Sequence, residues 1–203
     1  MVHVGEPEFY EATYADALKH EVVFVEGVNS PITTRITRSY RWLVGSRAMA
    51  GLISQPRFPR DEGSARIVHA DLTADEFAAQ WRAIPLWQRA AVYVLAPLIG
   101  LHRRWASTRA KLANDLRCED QPSLAELLAM TPETGALTQA MLHARDERLL
   151  ERLRVELDLR PPNPSTIGVV FGATHMRAVV HELTTKRDFV VAGAEWRTIF
   201  SLE

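Results

Sequence analysis

Three short apolar runs constrain this chain more than any other feature: EVVFVE at 21–26, ARIVHA at 65–70 and TIGVVF at 166–171. Each is followed at once by a turn residue, Gly27, Asp71 or Gly172. Unbroken β-branched runs of that length read as strands buried on both faces. Strands of that kind belong to parallel sheets covered by helices. Two further strand candidates lie close together at 189–192 and 196–200.

Helical patterns separate the runs. Pro7 suits a first helical position, and Tyr10, Tyr14, Ala17 and Leu18 recur at helical spacing, so 7–20 reads as a helix. Thr73 with Glu76 and Ser123 with Glu126 are capping boxes. Thr131-Pro132 opens a long helix to about residue 157, which the proline-rich run 160–164 stops. The expectation is one α/β domain over 1–203. Its mostly parallel central sheet is flanked by helices, and a helical lobe is inserted at about 80–130.

Composition bears on partners and setting. With 24 Lys and Arg against 25 Asp and Glu, nothing points to nucleic acid, and the arginines of 35–47 read as a solvated face. Cys118 is alone, so no intrachain disulfide forms and a reducing compartment is expected. The opening Met-Val-His-Val-Gly-Glu lacks the basic start and apolar run of a signal peptide. A cytoplasmic or membrane-peripheral setting is the expectation. The longest apolar stretch, 90–101, is too short to span a bilayer, which takes about 20 residues. It reads as a buried helix that ends or kinks near Pro97. A second reading is an interfacial or partner-docking element, with Trp81, Trp87, Tyr93 and Trp105 nearby and Arg89, Arg103 and Arg104 flanking.

The chemistry gathers at strand ends. His175 stands in the turn Gly172-Ala-Thr-His175 after the third run, at the sheet edge where open α/β folds bind ligands. Alone it reads equally as structural. Glu26 closes its run beside Gly27; His3 stands before Gly5. A His and a Glu at neighbouring strand ends suit a divalent ion (zinc, manganese or cobalt) or acid–base work on a water. A turn cap and an unordered terminus are the plain alternatives. Arg145 sits on the apolar stripe of Leu142, Leu149 and Leu153, where an inward guanidinium needs an anionic or carbonyl partner. Otherwise it snorkels at the boundary of the lobe. His69 and Asp71 close the second run and rank behind these. No HEXXH, P-loop, GxSxG or GxGxxG motif occurs.

Taken together, four segments resemble the TraB/PrgY/GumN family, which is similar to the TIKI metalloproteases. They are His3-Val-Gly-Glu-Pro-Glu-Phe-Tyr10 with 22–28 (VVFVEGV), 50–55 (AGLISQ) with His69-Ala-Asp-Leu72, Arg145-Asp-Glu-Arg148, and Gly172-Ala-Thr-His175. The resemblance covers most of the chain, with 80–130 matching loosely. It implies a centre shared by two GxxH histidines, a glutamate and an arginine. His3 and His175 would then be metal ligands, and Glu26 a ligand or general base. Arg145 would orient a carboxylate or stabilise developing negative charge. The first motif lacks its glycine, which falls before Met1 together with the strand that should deliver His3. The expectation is a sheet short of one strand.

Three functions follow from that resemblance. The first is metal-dependent hydrolysis of peptide or amide bonds through an activated water. The second is a non-catalytic module that binds a peptide or small ligand, in the manner of pheromone shutdown. The third is a degenerate member that assembles at a membrane through 90–101.

Overall fold

Three of the five expected strands form one parallel sheet. In the computed structural model, which describes residues 2–59, 63–115, 135–159 and 166–202, its order is β4-β2-β5. β2 (Val22–Val25) is central, with β4 (Arg66–His69) and β5 (Ile167–Val170) paired in register on either side, Val22 facing Arg66 and Ile167. Because side chains alternate across a strand, both faces of β2 must be covered. Phe24 and Val22 pack with Leu149, Leu153, Phe171 and Val179; Val23 and Val25 pack with Ala17 on the opposite face. That two-sided burial is why the run contains no alternating polar residue.

Helices flank the sheet. α1 (Pro7–Ala17) begins on Pro7 as its sequence predicts, α2 (Pro31–Val44) follows β2, and α3 (Ala74–Ala83) opens on the expected capping box. Thr73 Oγ1 accepts from the Glu76 N–H at 3.3 Å, and Glu76 Oε2 accepts from the Thr73 N–H at 2.9 Å. α4 (Leu86–Ala106) and α5 (Arg109–Asp115) complete the described part of the lobe, and α4 packs against α2. A short α6 (Gly135–Thr138) runs through a π-helical turn at Gln139–His143 into α7 (Ala144–Asp158), and α8 (Ala173–Lys186) follows β5.

The structure corrects several sequence expectations. Residues 189–192 and 196–200 form no strand: Val190, Val191 and Trp196 are 85%, 72% and 93% exposed, and the Glu6 N–H bond to the Ile199 carbonyl is no ladder. Residues 4–5 do form a short strand, but outside the parallel sheet. This strand, β1 (Val4–Gly5), pairs antiparallel with β3 (Ile53–Ser54). α4 neither ends at Pro97 nor is buried, for it runs on to Ala106 with Val94, Leu95 and Leu98 more than half exposed. Its packed residues, Val92 and Tyr93 against Trp81 and Phe77, lie on the opposite side. No single described helix is long and apolar enough to cross a membrane. The capping box at Ser123, the helix start at Thr131, Cys118 and the run 160–164 lie outside the described residues.

Candidate functional site

The parallel sheet brings its three carboxyl ends together, and the charged residues expected there meet at that edge. Glu26 follows β2, Asp71 follows β4 by two residues, and Gly172 and His175 follow β5 at the start of α8. The fourth wall is α7. Leu149 and Leu153 anchor it on the sheet, and Arg145, one turn before Leu149, therefore points the same way.

Arg145 spans two carboxylates. Its Nε donates to Asp71 Oδ1 at 3.0 Å, and its Nη2 donates to Asp71 Oδ2 at 2.7 Å and Glu26 Oε1 at 2.6 Å. The second oxygen of Glu26 accepts the Gly172 N–H at 2.5 Å. A Cβ at Gly172 would meet that oxygen at 3.4 Å and the His175 ring at 3.5 Å, both ordinary van der Waals contacts. Asp71 takes two further backbone donors, Gly27 N–H at 2.9 Å and Leu72 N–H at 2.8 Å, and its side chain is wholly buried. His69 Nε2 meets the Gly27 carbonyl at 2.6 Å. The Gly27 residue is thus held at its N–H by Asp71 and at its carbonyl by His69. Its φ of +143° is a conformation that only glycine adopts without strain.

His175 is 3% exposed and stands on the edge of the Phe171 ring. Its Nδ1 lies 2.6 Å from Asp146 Oδ1, and its Nε2 lies 3.9 Å from Glu26 Oε1. Asp146 is the residue that sequence reasoning missed. It adjoins Arg145 on α7, and a carboxylate beside an inward arginine was the signal. An ionised carboxylate only accepts, so Asp146 fixes the imidazole proton on Nδ1 and leaves the Nε2 lone pair facing Glu26.

Burial pushes the Glu26 carboxyl up, but Arg145, by its charge and its hydrogen bond, and the Gly172 N–H hold it below the ordinary carboxylate range. Asp71 is likewise pushed up by burial and carried lower overall by Arg145 and the backbone donors at Gly27 and Leu72. Burial disfavours the Arg145 charge, yet Asp71 and Glu26 outweigh it and raise its pKa. Depressed folded-state values make both carboxylates stabilising above their unfolded values of about 4. That contribution is lost as pH falls through the folded values. The urea midpoint of the wild type is expected to fall below about pH 4, and Asp71→Asn should flatten that fall. A midpoint that stays level from neutral to acid pH would contradict this.

His3 does not join the centre. It is exposed ahead of β1, and its carbonyl accepts the Gln55 N–H at 2.9 Å. Its backbone belongs to the two-stranded sheet and not to the parallel one. Among the described residues, no three His, Cys, Asp or Glu side chains are placed to hold a metal ion. The donors at hand also suit a divalent ion poorly. The carboxylates of Glu26 and Asp71 are already bound to Arg145, and its guanidinium repels a second cation. Neither of the two clefts described below, at 320 and 440 Å³, is lined by these residues. No family model, curated protein or solved structure matches the chain.

Proposed function

We propose that the chain is a hydrolase of peptide or amide bonds in which His175 and Glu26 activate a water. The observation that carries this reading is the orientation of His175: Nδ1 bonded to Asp146, Nε2 open toward an ionised carboxylate at the ligand-binding edge of a parallel sheet. A water bridging Nε2 and Glu26 Oε1 would give one proton to Nε2 as its oxygen attacks the carbonyl carbon. The imidazolium formed would lie between Asp146 and Glu26, and would return that proton to the leaving amine as the C–N bond breaks. Glu26, tied to Arg145, stays ionised and orients the water. Arg145 keeps Nη1, which makes no hydrogen bond among the described residues, for the developing oxyanion.

The resemblance to the TraB/PrgY/GumN and TIKI-like proteins supports the same reaction class, through Glu26, Arg145 and the Gly172–His175 motif. A parallel sheet flanked by helices is compatible with that reading. No step here runs through a metal. Manganese, cobalt and zinc nevertheless belong in the experiment, because the resemblance implies one.

The test is digestion of a mixed peptide set in water enriched in oxygen-18, read by mass spectrometry, with chelator and with each ion added. New carboxyl termini carrying the label are expected under chelation. Absence of labelled product under every condition would sink hydrolysis. Peptide binding by calorimetry would then leave the non-catalytic binding role.

A further inference from the structure

The lobe beside the centre carries a surface that the hydrolase reading does not use. α4 is 21 residues long, about 30 Å at helical rise. Trp87, Val94, Leu98, Leu101 and Trp105 follow one another at spacings of seven, four, three and four, which places them along one side of the helix. All five face solvent, at 63%, 59%, 55%, 47% and 81% exposure, and Leu95 widens the face at 51%. An apolar surface of that length is unusual on a protein that meets only water.

Its surroundings are mostly cationic, although Asp115 closes α5 and Arg109 pairs with Glu6 at 3.5 Å. From Phe77 to Asn114 the chain has six Lys and Arg and no Asp or Glu. α2, which packs against α4, contributes Arg35 and Arg38 and also no acid. Two clefts open along α4. One, of about 320 Å³, is lined by Arg35 and Arg38 with Trp42 and Tyr93; the other, of about 440 Å³, by His102, Arg103 and Lys111. The chain as a whole is near neutral at −1, so the stretch 77–114 is more basic than the chain it belongs to.

We propose that α4 lies in the surface of an anionic phospholipid bilayer, with Trp87 and Trp105 at the ends of its buried face and the lobe's arginines on the headgroups. The two features together select that occupant. An apolar helix face in the interface gains from acyl burial, and nearby Lys and Arg gain from anionic lipid. A second copy packed face to face through α4 would set arginines against arginines, with no acid on α4 or α2 to answer them. The face is also broader than a two-helix seam requires, since Leu95 flanks it. Nucleic acid would meet the arginines but leave the tryptophan and leucine stripe in water.

The test uses the full chain and vesicles of phosphatidylcholine, with and without phosphatidylserine. Co-sedimentation is expected with the anionic vesicles alone and is expected to weaken with salt. Val94→Glu with Leu98→Glu, at exposed positions that are no part of the centre, should lower partitioning about a hundredfold. The far-UV circular dichroism and any peptide hydrolysis should stay as in wild type. Arg103→Gln and Arg104→Gln should each cost about fivefold on anionic vesicles. The proposal is overturned by equal sedimentation of the glutamate variant and wild type, or by binding indifferent to lipid charge. It is also overturned by a dimer in light scattering that the glutamate variant splits while no vesicle binding is seen.

Discussion

Replacing Arg145 with methionine is expected to cost the fold about 3–5 kcal/mol, because it strands two carboxylates that are left with backbone donors and no guanidinium. The Glu26 and Asp71 side chains are 11% and 0% exposed, and Arg145 joins them with three hydrogen bonds of 2.6–3.0 Å. Methionine fills the space but leaves like charges facing each other in a poorly solvated setting. In a chain of this size the loss corresponds to a fall in Tm of about 10 °C. Lysine should recover only part of it, since one ammonium cannot bridge both carboxylates as the planar fork does. Adding Asp71→Asn and Glu26→Gln to Arg145→Met should restore stability, because the buried charges go with their counter-ion. A methionine variant within about 1 kcal/mol of wild type in urea would mean that the cluster is hydrated and not a closed ion network.

His175→Ala is expected to lower peptide hydrolysis about a thousandfold, and Asp146→Asn nearly as much. The two losses differ in kind. Alanine removes the base and also the ring that packs on Phe171, so some stability goes with it. Asparagine keeps the shape at a position 16% exposed but offers an amide that can donate to Nδ1, which moves the imidazole proton to Nε2 and leaves no lone pair for the water. The asparagine variant should therefore unfold within about 1 kcal/mol of wild type while losing kcat, with KM little changed. Full activity in that variant would remove Asp146 from the mechanism. Full activity in His175→Ala would remove the proposed chemistry.

Much of the frame was legible because its signals are local. Pro7 starts α1, Thr73 and Glu76 cap α3, and the β-branched runs at 22–25, 66–69 and 167–170 are the three strands of the parallel sheet. Arg145 was found by its place on a leucine stripe, and both carboxylates such a residue needs are present. Asp146 escaped because its meaning depends on His175, 29 residues away and reached only by folding. The tail misled for a related reason: 189–200 has strand-forming residues but Gly193 interrupts it and no neighbouring strand pairs with it. α4 runs past Pro97 because a proline removes one helical bond without unfolding a helix that tertiary packing already holds, and α4 is held through Val92 and Tyr93.

The grip on Gly27 has a consequence for assembly of the sheet. Parallel neighbours have no hairpin to set their alignment, and β2 is apolar enough to slide against β4 at little cost in burial. His69 and Asp71, two residues apart, hold the carbonyl and the N–H of the same glycine. A shift of β4 by one residue would break both bonds, turn His69 to the other face and withdraw Asp71 from Arg145. The charged centre therefore closes in one alignment only. It acts as a checkpoint on strand pairing, and a misaligned sheet would arrive at its edge with unanswered charge.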